Sequence, residues 1–139
     1  MAVKTSNIHL STRGNVDIHN VTEQVERAIS ESGLKYGSVT IFTPSSTSAF
    51  TTIEYESGAL NDLRRLFEEI IPSNREYAHN ARWGDDNGYA HLRSALVGAA
   101  RSFPLAEGHI LIGTWQQIVL CDFDSRPRDR QVVVTVVGD

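Results

Sequence analysis

Between Ala78 and Gly98 the chain reads AHNARWGDDNGYAHLRSALVG, with His79 and His91 on either side of Trp83, Asp85, Asp86 and Asn87. Imidazoles titrate near neutrality, so a histidine pair beside carboxylates suits proton transfer. The same set suits a divalent ion, Zn or Mg, held by His79 and His91 with Asp85 or Glu54 and an open position for water or substrate. Asn87 stands where a helix begins and His91 lies four residues on, so both share one face of the first turn. A helix N-terminus also favours an anion. Metal site, anion site and a pair of merely structural histidines all remain open at this level.

Other segments carry weaker signals. Ser45, Ser46, Thr47 and Ser48 follow Pro44 as a hydroxyl-rich corner that suits phosphate oxygens or ordinary turn chemistry. SRPRDR holds Arg126, Arg128 and Arg130, a solvated turn or a small phosphate contact. GTWQQ, Gly113 to Gln117, offers Trp115 as an interface anchor or as a platform under a flat ring. No hydrolase elbow, phosphate-binding glycine loop or dinucleotide fingerprint is present, which sets those enzyme classes aside.

The elements that must position these groups follow from periodicity. SNIHLST and NVDIH alternate around Arg13-Gly14 and predict a hairpin. Asn20 and Glu23 resemble a capping box for a first helix over about 20–32, with Val21, Val25, Ala28 and Ile29 on one face and Gly33 as the stop. SVTIFT and AFTTIEY read as strands; Leu60, Leu63, Leu66, Phe67 and Ile70 predict a second helix ended by Pro72. From Pro72 to about Gly88 no period survives, and Tyr77 and Trp83 predict that this long connection is ordered. Asn87 is expected to cap a third helix in which Leu92, Ala95, Leu96 and Ala99 form the core stripe and which ends before Pro104. HILIGTW, QQIVLCDFD and QVVVTVV complete the strands. The last two are apolar on both alternating sets, so a second layer or a neighbouring subunit must cover them.

With 139 residues, 40 % of them apolar, the chain fits a single domain, 1–139, with a core of its own. A formal charge of −4 and scattered arginines leave no footprint for nucleic acid. No run approaches the ~20 apolar residues of a membrane span, and a lone Cys121 suits a reducing, cytoplasmic setting.

STSAFTTIEYESG, the pattern W-G-D-x-N-G-x-x-H-x-x-S from Trp83 to Ser94, and GHILIGTWQQIVLCDFDSRPR together resemble the YjbQ family, also called the secondary thiamine-phosphate synthase family, from about Val39 to the C-terminus. That resemblance implies an α+β subunit, mainly antiparallel sheet packed with about three helices, assembled as a homotrimer. It also implies a transferase that condenses a pyrimidine methyl diphosphate with a thiazole phosphate and releases pyrophosphate. The family's polar cluster falls on Glu54, His79, Asp85, Asn87 and His91, with Thr114, Trp115 and Gln116 nearby. With the hydroxyl corner and the basic run, the expected substrate contacts are Ser46, Thr47, Thr114, Trp115, Gln116 and Arg128. In this scheme Asp85 and Glu54 orient a metal ion, His79 and His91 ligate it or protonate the leaving group, and Trp115 stacks on a ring. Many family members carry a histidine after the proline of the strand-loop corner, where this chain has Ser45. The alternative is a trimeric protein that binds a metal or a phosphorylated metabolite without synthase activity.

Overall fold

The computed structural model describes residues 1–139. Its elements are β1 (Ala2–Thr12), β2 (Asp17–Asn20), α1 (Thr22–Ser32), β3 (Gly37–Phe42), β4 (Ser48–Ile53), α2 (Ser57–Ile70), α3 (Ala78–Trp83), α4 (Gly88–Val97), β5 (Ala100–Ala106), β6 (His109–Ile110), β7 (Gln117–Asp122) and β8 (Arg128–Gly138). They form two antiparallel sheets, one of five strands in the order β1-β8-β3-β5-β6 and one of three in the order β2-β7-β4. The expected α+β architecture is therefore present, with four helices instead of about three.

Strand alternation decides the layering. Val132, Val134 and Val136 of β8 meet Phe50 of β4, Ile118 and Leu120 of β7 and the α1 face of Val25 and Ile29 in one core. The opposite faces of β4 and β7, with Ala49, Val119 and Cys121, join Phe123 and meet Leu60 and Phe67 of α2 and Tyr89 and Ala90 of α4 in a second core. β7 is apolar on both faces because the three-stranded sheet lies between those cores. For β7 the cover demanded by the sequence comes from within the chain; on β8 only the face of Val132, Val134 and Val136 is buried, and Val133, Thr135 and Val137 on the other face stay half-buried.

Several local expectations need correction. β1 and β2 do not form a hairpin: β1 pairs with β8 and β2 with β7, in different sheets. The crossing runs through Gly14, Asn15 and Val16, all at positive φ. Gly14 allows it, since a Cβ there would lie 2.5 Å from the Asp124 carbonyl oxygen. The position before α1 is Val21 without a side-chain cap, and Asn20 Oδ1 instead accepts from the backbone N–H and the hydroxyl of Thr22. Gly33 ends the helix as expected. Residues 78–83, expected to be loop, form α3. The stripe expected to face the core on α4 faces outward instead: Leu92, Ala95 and Leu96 are exposed, Ala99 lies beyond the helix end at Val97, and Tyr89, Ala90, Arg93 and Ser94 are buried. Of HILIGTW only His109–Ile110 is strand, while residues 100–106, read as the end of a helix and a proline break, form β5. Pro104 is tolerated because its carbonyl accepts from Leu111 N–H at 3.0 Å. A strand residue's N and O point the same way, so the missing donor faces the short β6 side and leaves the β3 ladder intact.

Candidate functional site

At the Ser48 end of β4, residues 44–47, α3, the start of α4 and the β7–β8 connection surround an open concavity of about 510 Å³. Ser45, Ser46, Thr47, His79, Trp83, Asp85, Asn87, His91, Asp124, Arg128 and Arg130 line it. Its floor is a set of buried charges. Asp122 is the last residue of β7 and Asp124 lies two residues beyond it, where its N–H donates back to Asp122 Oδ1 at 3.0 Å; Arg128 and Arg130 stand two apart at the start of β8 and share a strand face. Arg130 is bidentate to Asp122, Nε to Oδ2 at 2.7 Å and a terminal nitrogen to Oδ1 at 3.0 Å. Its terminal nitrogens also donate to Ser45 Oγ at 2.8 Å and Thr47 Oγ1 at 2.9 Å. Arg128 Nε donates to Asp124 Oδ2 at 2.9 Å, and the terminal nitrogens of Arg128 make no hydrogen bond within the chain. Burial pushes the Asp124 carboxyl up. Hydrogen bonds from Asn87, Ser125 and Thr47, with the Arg128 charge, outweigh that and hold it below the usual carboxylate range. The quartet of two carboxylates and two guanidiniums is neutral as a whole.

The other wall carries the histidines. α3 brings His79 back onto α4, and its ring centroid lies 4.3 Å from that of His91. His79 Nδ1 is 3.5 Å from Asp85 Oδ1, too poorly aligned for a hydrogen bond but placed to close into one. Burial, and then the neighbouring His79, depress the His91 pKa against the pull of Asp124 and Asp85. His91 is thereby kept as a neutral base near pH 7. Asn87 precedes α4 but does not cap it. Its Nδ2 donates to Asp124 Oδ1 at 3.2 Å, which leaves Asn87 Oδ1 buried and unpartnered. Asn80 Oδ1 accepts from Gly88 N–H at 2.8 Å instead. Gly88 permits this approach, since a Cβ would lie 2.7 Å from that of Tyr77.

Not all the expected residues converge here. Glu54, Thr114 and Trp115 line a separate concavity of about 460 Å³ with Asn20, Tyr55, Glu56 and Gln117. Gln116 beside them donates to Thr52 Oγ1 at 3.1 Å and accepts from Gly113 N–H at 3.0 Å. The register explains the separation: Ser48 pairs with Asp122 at one end of the β4–β7 ladder, Ile53 with Gln117 at the other. Within one chain Glu54 therefore does not join His79 and His91. No group of three or more His, Cys, Asp or Glu side chains is disposed to hold a metal ion. Two imidazoles beside Asp85 do not form a cage for Zn or Mg within the chain. Asp122 and Asp124 are site residues that the sequence reading does not contain, although the D-x-D spacing facing the arginines of SRPRDR is the signal for them.

An α+β scaffold with a polar, arginine- and histidine-lined cleft at one end of its inner sheet defines the class. The chain belongs to the family described as UPF0047 protein YjbQ-like, whose model matches residues 6–139. A UPF0047 protein of Methanothermobacter thermautotrophicus is 35 % identical, covering 99 % of this chain and 94 % of that one. UPF0047 protein YugU of Bacillus subtilis is 29 % identical over 94 % of this chain and 97 % of its own. Among solved structures, a YbjQ-like protein of unknown function from Sulfolobus solfataricus matches with a TM-score of 0.94 and 35 % identity over 99 % of both chains. A YjbQ/UPF0047 protein from Clostridium acetobutylicum matches with a TM-score of 0.87 and 27 % identity, over 95 % of this chain and 99 % of that one. No helix is long and apolar enough to cross a membrane.

Proposed function

We propose that the cleft binds a phosphorylated small molecule and that the chain is a transferase of the thiamine-phosphate synthase type. The observation that carries this reading is the convergence of Arg128, whose terminal nitrogens are uncommitted, the Ser45–Thr47 hydroxyls and the His79–His91 pair on one concavity. Arg128 meets the diphosphate, while Arg130, tied to Asp122, holds Ser45 and Thr47 in position. In the condensation, the thiazole nitrogen lone pair forms a C–N bond to the pyrimidine methylene carbon. The C–O bond to the diphosphate breaks and its electron pair leaves with pyrophosphate. Charge grows on that leaving group, where guanidinium and imidazolium groups stabilise it most. A bound polyanion favours the protonated form of a neighbouring imidazole, so a neutral His91 takes up a proton on binding and delivers it to the pyrophosphate oxygen. Asp85, 3.5 Å from His79 Nδ1, supplies a carboxylate that pairs with the protonated form of that ring. Assembly as a homotrimer belongs to the same proposal.

The test is pyrophosphate release from a pyrimidine methyl diphosphate and a thiazole phosphate, with product mass as the second readout. Replacing both His79 and His91 by Ala is expected to lower turnover at least about 100-fold in a folded protein. Unchanged turnover in that variant contradicts the scheme. Tight phosphate binding without turnover by the unaltered chain leaves a metabolite-binding protein in place of a transferase.

A further inference from the structure

We infer that Trp83, rather than Trp115, is the stacking platform for the ligand, and that it makes the site selective for phosphate esters carrying a flat ring. The inference rests on the phosphate-binding reading above and adds the group that selects what the phosphate is attached to.

Both tryptophans are exposed, Trp83 at 66 % and Trp115 at 73 %, so exposure alone does not choose between them. Their neighbours do. Trp83 shares its concavity with Arg128, whose uncommitted terminal nitrogens can hold a phosphate, and with the Ser45 and Thr47 hydroxyls that Arg130 positions. Trp115 shares its own with Glu54 and Glu56 and with no cation. A phosphate held by Arg128 places whatever it esterifies within the walls that Trp83 helps to form. The Trp115 concavity repels a phosphate.

α3 is built to present this ring. None of its six residues is buried, so Trp83 contributes nothing to either core. The helix ends immediately after Trp83, where Gly84 turns left-handed and donates to the Asn80 carbonyl at 2.8 Å. The Arg82 guanidinium lies 5.3 Å from the Trp83 ring centroid, a cation–π contact that orients the indole. A large apolar ring left in water at the mouth of a polar cleft gains most by covering another flat surface, and aromatic stacking on a heterocycle is worth roughly a tenfold affinity gain or more.

The experiment compares two phosphate esters of matched size and charge, benzyl phosphate and cyclohexylmethyl phosphate, by competition against inorganic pyrophosphate. The unaltered chain is expected to favour the benzyl ester by about tenfold. Trp83→Leu should abolish that preference, Trp83→Phe restore much of it, and Trp115→Leu retain it. An equal preference in the unaltered chain and in Trp83→Leu overturns the inference, and so does loss of preference in Trp115→Leu alone. Native mass measured alongside reports whether Trp83 instead seats a second copy: a lower mass in Trp83→Leu with an unchanged ester preference also overturns it. Failure of pyrophosphate itself to bind the unaltered chain defeats the phosphate-binding reading and this inference with it. A bound pyrophosphate without ring preference defeats this inference alone.

Discussion

The two ends of the β4–β7 ladder are built from similar residue types and do different things. At the Ser48–Asp122 end, carboxylates, guanidiniums and hydroxyls are buried and bound to one another, and imidazoles face them across a cleft. At the Ile53–Gln117 end, Glu54 and Trp115 stand exposed at an acidic concavity that holds no set of buried, paired charges. Charge placed under the surface must be paired, which fixes its geometry; charge left in water need not be. Preorganisation is therefore a property of the first end.

The sharpest way to break this contrast is to unpair the buried end. Arg130→Ala strands Asp122 and weakens the hold on Ser45 and Thr47, and an unfolding midpoint shift equivalent to about 3–5 kcal/mol is expected in denaturant titration. Glu54→Ala at the other end should stay within about 0.5 kcal/mol. Similar losses in both variants would erase the distinction.

Acid titration sharpens it. His91 has a folded pKa below its unfolded value, so the unfolded chain binds the proton first as pH falls. The stability tied to neutral His91 is full above the unfolded value near 6.5 and is lost as pH drops through that value toward the folded one. Asp124, also depressed, gives a second and more acidic window: its contribution is full above the unfolded carboxyl value and lost as pH falls through the folded one. Midpoints measured against pH should show both steps, and His91→Gln should remove only the upper one.

A smaller effect concerns Cys121, on the face of β7 that packs against α2 and α4. Burial pushes its thiol up to about 12, so a thiolate-seeking reagent should label it only at the rate of unfolding. Labelling at the rate of a free thiol would mean that the second core opens locally. Arg93, fully buried on α4, helps close that core: it donates to the Ile71 carbonyl and to Glu68, and lies 4.8 Å from the Tyr89 ring centroid.

Much of this could be read from the chain, and the limits have physical causes. The α2 helix and the Gly33 stop were legible because an amphipathic period and a left-handed C-cap are local properties, although of the α2 stripe Leu60 and Phe67 are buried while Leu66 and Ile70 stay exposed. The meeting of His79 with His91 was legible as a long ordered connection folding back, although its helical turn was not. β5 was illegible because Pro104 reads as a break, and only its register against β3 and its place beside the short β6 make it tolerable. The expected hairpin failed because alternation names strands without naming their partners. The predicted grouping of Glu54 with the histidines failed within one chain for the same reason, since the distance along β4 became clear only once Ser48 was paired with Asp122. Arg130 looked like part of a solvated turn until the facing D-x-D of β7 gave it a buried partner.

The central claim is that the braced end of the ladder is a phosphate site, and titration calorimetry with inorganic pyrophosphate on the unaltered chain and on Arg128→Ala tests it most directly. The account predicts one saturable site per chain, weakened about tenfold or more when Arg128, with its uncommitted terminal nitrogens, is removed. Absence of binding to the unaltered chain, or equal affinity in the two proteins, would contradict it.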